Sequence, residues 1–171
     1  MLTSNSQSER HTLTVLVDNE AGVLARVIGL FSGRGYNIES LTVAEVDPAA
    51  RTSRITIVTS GTPAVIEQIE AQLNRVVPVR SVTNWTAAKA GIEREMALIK
   101  VAGTGEKRME ALTLADAFRA RAVDTTHTSF VFEITGAPAK IDSFIELMRP
   151  LGLVDVSRTG VAAISRGPEA M

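Results

Sequence analysis

The sequence predicts an α+β fold, two βαββαβ units in tandem, each with its helices on one face of an antiparallel sheet. Three observations lead there. Between Thr12 and Trp85, stretches of period-two alternation and stretches of helical periodicity follow one another in the order β-α-β-β-α-β. The same order recurs after a small polar connector, from Met96 to Ser165. The 171 residues suffice for two small domains, and 45 % of them are apolar, which supplies core material.

The elements follow in order. Thr12–Asp18 alternates Leu13, Val15 and Val17 with Thr12, Thr14 and Asp18, the pattern of a half-buried strand. After the turn Asn19-Glu-Ala-Gly22, the run to Gly35 places Val23, Val27, Leu30 and Phe31 on one helical stripe. Gly33 and Gly35 are expected to end this helix. Residues 36–46 read as a strand, Asp47-Pro-Ala-Ala turns the chain, and Ser53–Ser60 is a second strand of the pair. Thr62 is a candidate N-cap with Pro63 at the first helical position, and Ile66, Ile69 and Leu73 form the apolar stripe behind them. Pro78 predicts an edge position or a strand start for the last strand, which ends at Trp85.

In the second half, residues 96–102 read as a strand. Residues 106–122 read as a helix with Met109, Leu112 and Phe118 among its apolar positions. Two strands follow at 122–127 and 129–135. Residues 137–151 form a helix carrying Ile141, Phe144, Ile145 and Met148, and 153–165 close the series as one strand. The expected organisation is a disordered tail over 1–10, a first domain over 11–86, a linker over 87–94, a second domain over 95–166 and a tail over 167–171. In each domain this is the ferredoxin-like arrangement. One layer of helices leaves one sheet face open. In the first domain that face carries Thr14, Leu16 and Thr42, and self-association is expected to cover it.

Composition excludes several functions. With 18 basic and 19 acidic residues the formal net charge is -1, without the basic face that nucleic-acid binding requires. There is no cysteine, so there is no thiolate nucleophile and no cysteine metal site. The polar N-terminus is not a signal peptide, and no apolar run reaches the roughly 20 residues of a membrane helix. A cytoplasmic location is expected. Neither His11 nor His127 has a second ligand at metal spacing, so no metal site and no catalytic residue is predicted.

The candidate site is the start of the first helix. Helix N-termini carry unpaired backbone N–H groups and a partial positive charge, and Gly22 lets a ligand approach them closely. A phosphate loop would use several glycines and a lysine; this turn offers one glycine between Asp18 and Glu20 and no lysine. A zwitterion suits it better, with its carboxylate on the helix amides and Asn19 and its ammonium on nearby oxygens. The plain alternative is that Gly22 serves the turn and Asn19 caps the helix.

The stretch Asp18–Val43, DNEAGVLARVIGLFSGRGYNIESLTV, resembles the opening of an ACT domain, the amino-acid-sensing βαββαβ module. Its later part, VIGLFSGRGYNIESLTV, is similar to the regulatory (small) subunits of acetohydroxyacid synthase, also called acetolactate synthase. So are ITIVTSG, the linker stretch EREMALIKV and the C-terminal VDVSRTGVAAISRG. The resemblance runs from Arg10 to Gly167. It implies a subunit without catalysis of its own that forms a homodimer through its ACT domains. Such a subunit activates a large catalytic subunit and makes it sensitive to valine in branched-chain amino acid biosynthesis. Thiamine diphosphate, magnesium and FAD are then expected on the large subunit, and no cofactor on this chain. By the same resemblance the effector sits between two ACT domains. The matching positions are Asn19, Gly22 and Val23 at the first loop and helix start, and Asn37 with Ile38 after the helix. Leu24 and Ile38 are candidate apolar contacts for the valine side chain, or ordinary core residues.

Two other functions fit parts of the sequence. One is a free-standing amino-acid sensor acting on a different partner. The other reads Gly103-Thr-Gly105 and Asp124 as a dinucleotide fingerprint with its ribose-binding acid. Arg108 stands where that fingerprint's third glycine belongs, which weakens the second reading.

Overall fold

The structure, a computed structural model, describes residues 7–171, and the expected N-terminal tail falls largely outside them. The chain divides into two compact units. The first is built from residues up to Ile92 together with Val161–Met171; the second is Glu93–Gly160. Each is considered by itself.

The first unit contains β1 (Glu9–Asp18), α1 (Val23–Arg34), β2 (Ser40–Asp47), β3 (Thr52–Gly61), α2 (Pro63–Leu73), β4 (Val79–Asn84) and the single turn α3 (Trp85–Ala88). Its sheet has the order β2-β3-β1-β4, and all its pairings are antiparallel. The alternation in β1 does what the sequence predicts: Leu13, Val15 and Val17 are fully buried. They pack with Ile55 and Ile57 of β3, Val23, Val27, Leu30 and Phe31 of α1, and Ile66, Ile69 and Leu73 of α2. Burying such side chains contributes roughly 1.5–3 kcal/mol each, which is why the amphipathic stripes decide which face each helix turns inward.

Local chemistry sets the element ends. Thr62 caps α2 by accepting from Val65 N–H at 3.4 Å, with Pro63 in the first turn. Gly35, left-handed at φ 68, closes α1; Gly33 lies inside the helix rather than at its end. Pro78 precedes the edge strand β4.

The second unit contains β5 (Gly91–Ala102, whose first two residues belong to the first unit), α4 (Gly105–Ala117), β6 (Arg121–Thr125), β7 (Ser129–Gly136), α5 (Pro138–Met148) with a 3-10 turn at Arg149–Leu151, and β8 (Leu153–Arg158). Its strand order is β6-β7-β5-β8. The tandem ferredoxin-like architecture is therefore as expected, with antiparallel sheets throughout.

Several expectations are corrected. The stretch 153–165 is two strands, β8 and β9 (Ala162–Ser165), broken at Thr159-Gly160, and the chain from Val161 onward joins the first unit. Residues 87–94 are not a plain linker: α3 occupies their start and β5 begins at Gly91. Residues 9 and 10 lie in β1, not in a tail. Helix α4 buries Ala111 and Ala115, while Met109 is 63 % exposed. Its small inward residues let the helix lie close on the sheet, a signal that a search for large apolar residues misses. His11, near the start of β1, is buried beside Asn84, its Nδ1 3.1 Å from the carboxamide nitrogen.

The open face of the first sheet is also partly covered from within the chain. Thr42 Oγ1 donates to the Val161 carbonyl at 2.8 Å, and Val161 N–H donates to Ser40 Oγ at 3.1 Å. Arg54 reaches the Ala163 carbonyl at 3.3 Å, and both Val161 and Ala163 are buried. Further along this face Trp85 donates its Nε1–H to Thr14 Oγ1 at 2.7 Å, which meets Thr56 Oγ1 at 3.3 Å. Gly91 makes room for that indole: a Cβ there would lie 2.8 Å from the Trp85 Cβ. A second copy is thus not required across all of this face.

Candidate effector site

The β1–α1 loop is formed by the end of β1 and the left-handed Gly22, φ 83, which is the N-cap of α1. A Cβ at Gly22 would meet nothing within 4 Å, so backbone conformation and not crowding calls for glycine here. Among the described residues no side chain caps this helix. Asn19 is thus not its cap; the Asn19 Nδ2 donates to Glu45 Oε1 at 3.1 Å. Its backbone N–H donates to the Arg51 carbonyl at 2.7 Å, which ties the loop to the β2–β3 hairpin.

The negative charge of this flank is partly offset by an arginine. Arg80 forms an ion pair with Asp18 and also donates to Thr52 Oγ1 at 2.9 Å and to the Ala50 carbonyl. Arg80 and Glu45 were not singled out from the sequence. Their roles depend on which strands pair in which register, and local spacing carries no trace of that.

The remaining candidates are distributed as follows. Val23 is buried in the first core, and Leu24 and Ile38 are half-buried against it. Core packing therefore accounts for Val23. Leu24 and Ile38 keep part of their surface outside. Asn37 is exposed, and its carbonyl accepts from Thr59 Oγ1 at 2.6 Å.

Within one chain these residues are not brought together. Asn37 lies against Thr59, near the end of β3, whereas Asn19 lies against Arg51, just before β3 begins. A strand of 10 residues is about 30 Å long, far beyond the reach of one small molecule.

The dinucleotide reading fails on topology. Asp124 belongs to β6, which is separated from β5 by β7, and the sheet is antiparallel. A ribose-binding acid belongs on the neighbouring parallel strand. Among the described residues no group of His, Asp or Glu could hold a metal ion, and no helix is long and apolar enough to cross a membrane. The second sheet's helix-free face has a groove of about 230 Å³ bounded by Leu98, Lys100, Val131, Asp155 and Ser157.

Two ferredoxin-like units, the first with an uncapped, glycine-opened helix start, define a protein of the ACT fold type. Residues 13–81 match the family model described as AHAS small subunit-like ACT domain, and residues 94–167 match that of the small subunit of acetolactate synthase. The chain is 46 % identical over 158 residues to the "Probable acetolactate synthase small subunit" of Archaeoglobus fulgidus, covering 92 % of this chain and 98 % of that one. It is 44 % identical over 163 residues to the acetolactate synthase isozyme 3 small subunit of Salmonella typhimurium, covering 95 % and 99 %. The crystal structure of the acetolactate synthase small subunit from Thermotoga maritima superposes with a TM-score of 0.81 at 37 % identity, over 94 % of this chain and 99 % of that one. The chain belongs to the acetolactate synthase small-subunit family.

Proposed function

We propose that this chain is the regulatory subunit of an acetolactate synthase. It activates a thiamine-diphosphate-dependent catalytic subunit in the cytoplasm and makes it sensitive to valine. It has no chemistry of its own. Valine binds where two first domains meet in a homodimer. Asn19 and the amides after Gly22 of one copy take its carboxylate. Asn37 and Ile38 of the other copy close over it, and Leu24 lines the apolar side.

The observation that carries this reading is the separation of Asn19 and Gly22 from Asn37 and Ile38 along one sheet. A single effector can touch both pairs only if two copies lie antiparallel, which supports a shared site. Family membership supports the partner. Valine shifts the holoenzyme by binding one of its states more tightly, and a coupling of about 1–3 kcal/mol is typical for such effectors. Partial inhibition is therefore expected. Equilibrium sedimentation with and without valine tests the shared site. A dimer tightened by valine supports it; a monomer that still binds valine contradicts it.

A further inference from the structure

We propose that His11 is a proton-operated latch that, when charged, ties the start of β1 to α2 and to the cap of α3. His11 is 8 % exposed and lies on the helix side of β1, the side that carries Leu13 and Val15. It is a buried titratable group, and the binding of an effector makes no use of it.

Its two nitrogens are unequally served. Nδ1 faces the edge of the Asn84 carboxamide, 3.2 Å from Oδ1 and 3.1 Å from Nδ2. Nε2 is buried without a hydrogen-bond partner, and Glu9 Oε2 stands 3.6 Å from it. Asn84 is engaged elsewhere as well. Its Oδ1 accepts from Ala87 N–H at 3.1 Å, the bond that caps α3, and its Nδ2 donates to Glu70 Oε2 of α2 at 3.3 Å. A carboxamide oxygen accepts two hydrogen bonds and its nitrogen donates two, so Asn84 can serve Nδ1 in either protonation state. A neutral ring carries hydrogen on one nitrogen only. In the imidazolium both nitrogens donate, Nδ1–H to Asn84 Oδ1 and Nε2–H toward Glu9. Asn84 Oδ1 is then shared between the ring and the α3 cap, and Nδ2 is left to Glu70. The Glu9 side chain, 64 % exposed, is free to close to the roughly 2.7–2.9 Å of a charge-assisted bond.

The charges around the ring are of one sign. β1 contributes Glu9 and α2 contributes Glu70, and among the described residues no lysine or arginine is bonded to either carboxylate. β3 places Thr59 opposite His11 and Gly61 opposite Glu9. β4 contributes Asn84, and α3, Trp-Thr-Ala-Ala, has no ionisable side chain. Arg10 alternates to the other sheet face, where it bonds Glu39. A proton on His11 therefore puts a positive charge among carboxylates from two elements.

Trp85 follows Asn84 in α3 and is the single tryptophan of the chain, so its emission reports the state of the α3 cap. The test titrates this emission in the full chain from about pH 8 to about pH 5.5, the range in which histidine changes charge, and follows the His11 ring protons by NMR. Ring and emission are expected to change together in one step. His11→Gln should abolish the emission step, whereas His127→Gln, at an exposed position of the second unit, should leave it. Glu9→Gln should move the step to lower pH by about 0.2–0.7 of a unit, the size that an ion pair with an exposed partner supplies. Being at an exposed strand end, it serves even if His11→Gln fails to fold. A step that survives in His11→Gln overturns the proposal, as does a ring that does not titrate in this range. Flat emission while the ring titrates, or an unmoved midpoint in Glu9→Gln, overturns it equally.

Discussion

Gly22 combines a left-handed backbone with open space where a side chain would point. Asp and Asn both tolerate that conformation better than other residues. They differ in charge, and this separates two explanations for a lost effector. Gly22→Asp places a carboxylate where the proposed site puts that of valine. Steady-state assays of the reconstituted enzyme should show valine inhibition abolished and activation retained. Gly22→Asn should keep at least part of the inhibition; equal loss in both would trace the effect to the backbone or to bulk. Asn37 is exposed and is fixed to the fold through its carbonyl, so Asn37→Ala removes the carboxamide without disturbing the Thr59 contact. Valine binding by calorimetry should weaken by about 1–3 kcal/mol. At this scale the sequence carries part of the candidate site. Gly22 and the two asparagines stand out as residues in a glycine-opened loop. Glu45 and Arg80 do not, because strand register alone brings them to Asn19 and Asp18.

Among the elements, β1, β3, α1 and α2 of the first unit were readable because each sends an apolar stripe into a shared core. The C-terminal stretch was not. A four-residue strand is too short to show a period, and whether it belongs to one unit or the other depends on long-range hydrogen bonds to Ser40, Thr42 and Arg54. Those bonds make a testable demand. Val161 is 1 % exposed, and Val161→Asp should lower unfolding stability by about 3 kcal/mol in urea titrations, because an unpaired charge would be buried. In the second unit Arg158 joins Glu95, whose side chain is 3 % exposed, to Asp142 on α5. The hydrogen bond to Glu95, reinforced by Asp142, holds the Arg158 guanidinium above its ordinary pKa. It stays protonated wherever the protein is folded, so the pair adds no pH dependence from the arginine. Arg158 is one-third exposed, and solvent screening reduces what the pair contributes. Glu95→Ala should cost about 1–3 kcal/mol, read by thermal melting; a loss below a few tenths would show the pair to be neutral.

For the whole molecule, the element order predicted the architecture. Helix face, strand order and antiparallel pairing all follow from βαββαβ with short connections. The assignment of 161–171 to the first unit did not follow from order, since it needs the chain to return after a second complete unit. In the proposed function the chain is a regulator whose effector site exists only in the assembled dimer. Acetolactate formation by the cognate catalytic subunit measures this most directly, assayed alone, with the wild-type chain and with Gly22→Asp, each with and without valine. Both chains should raise the rate, and valine should lower it only with the wild-type chain. No rise in rate with either chain, or equal inhibition with both, would contradict the proposed function.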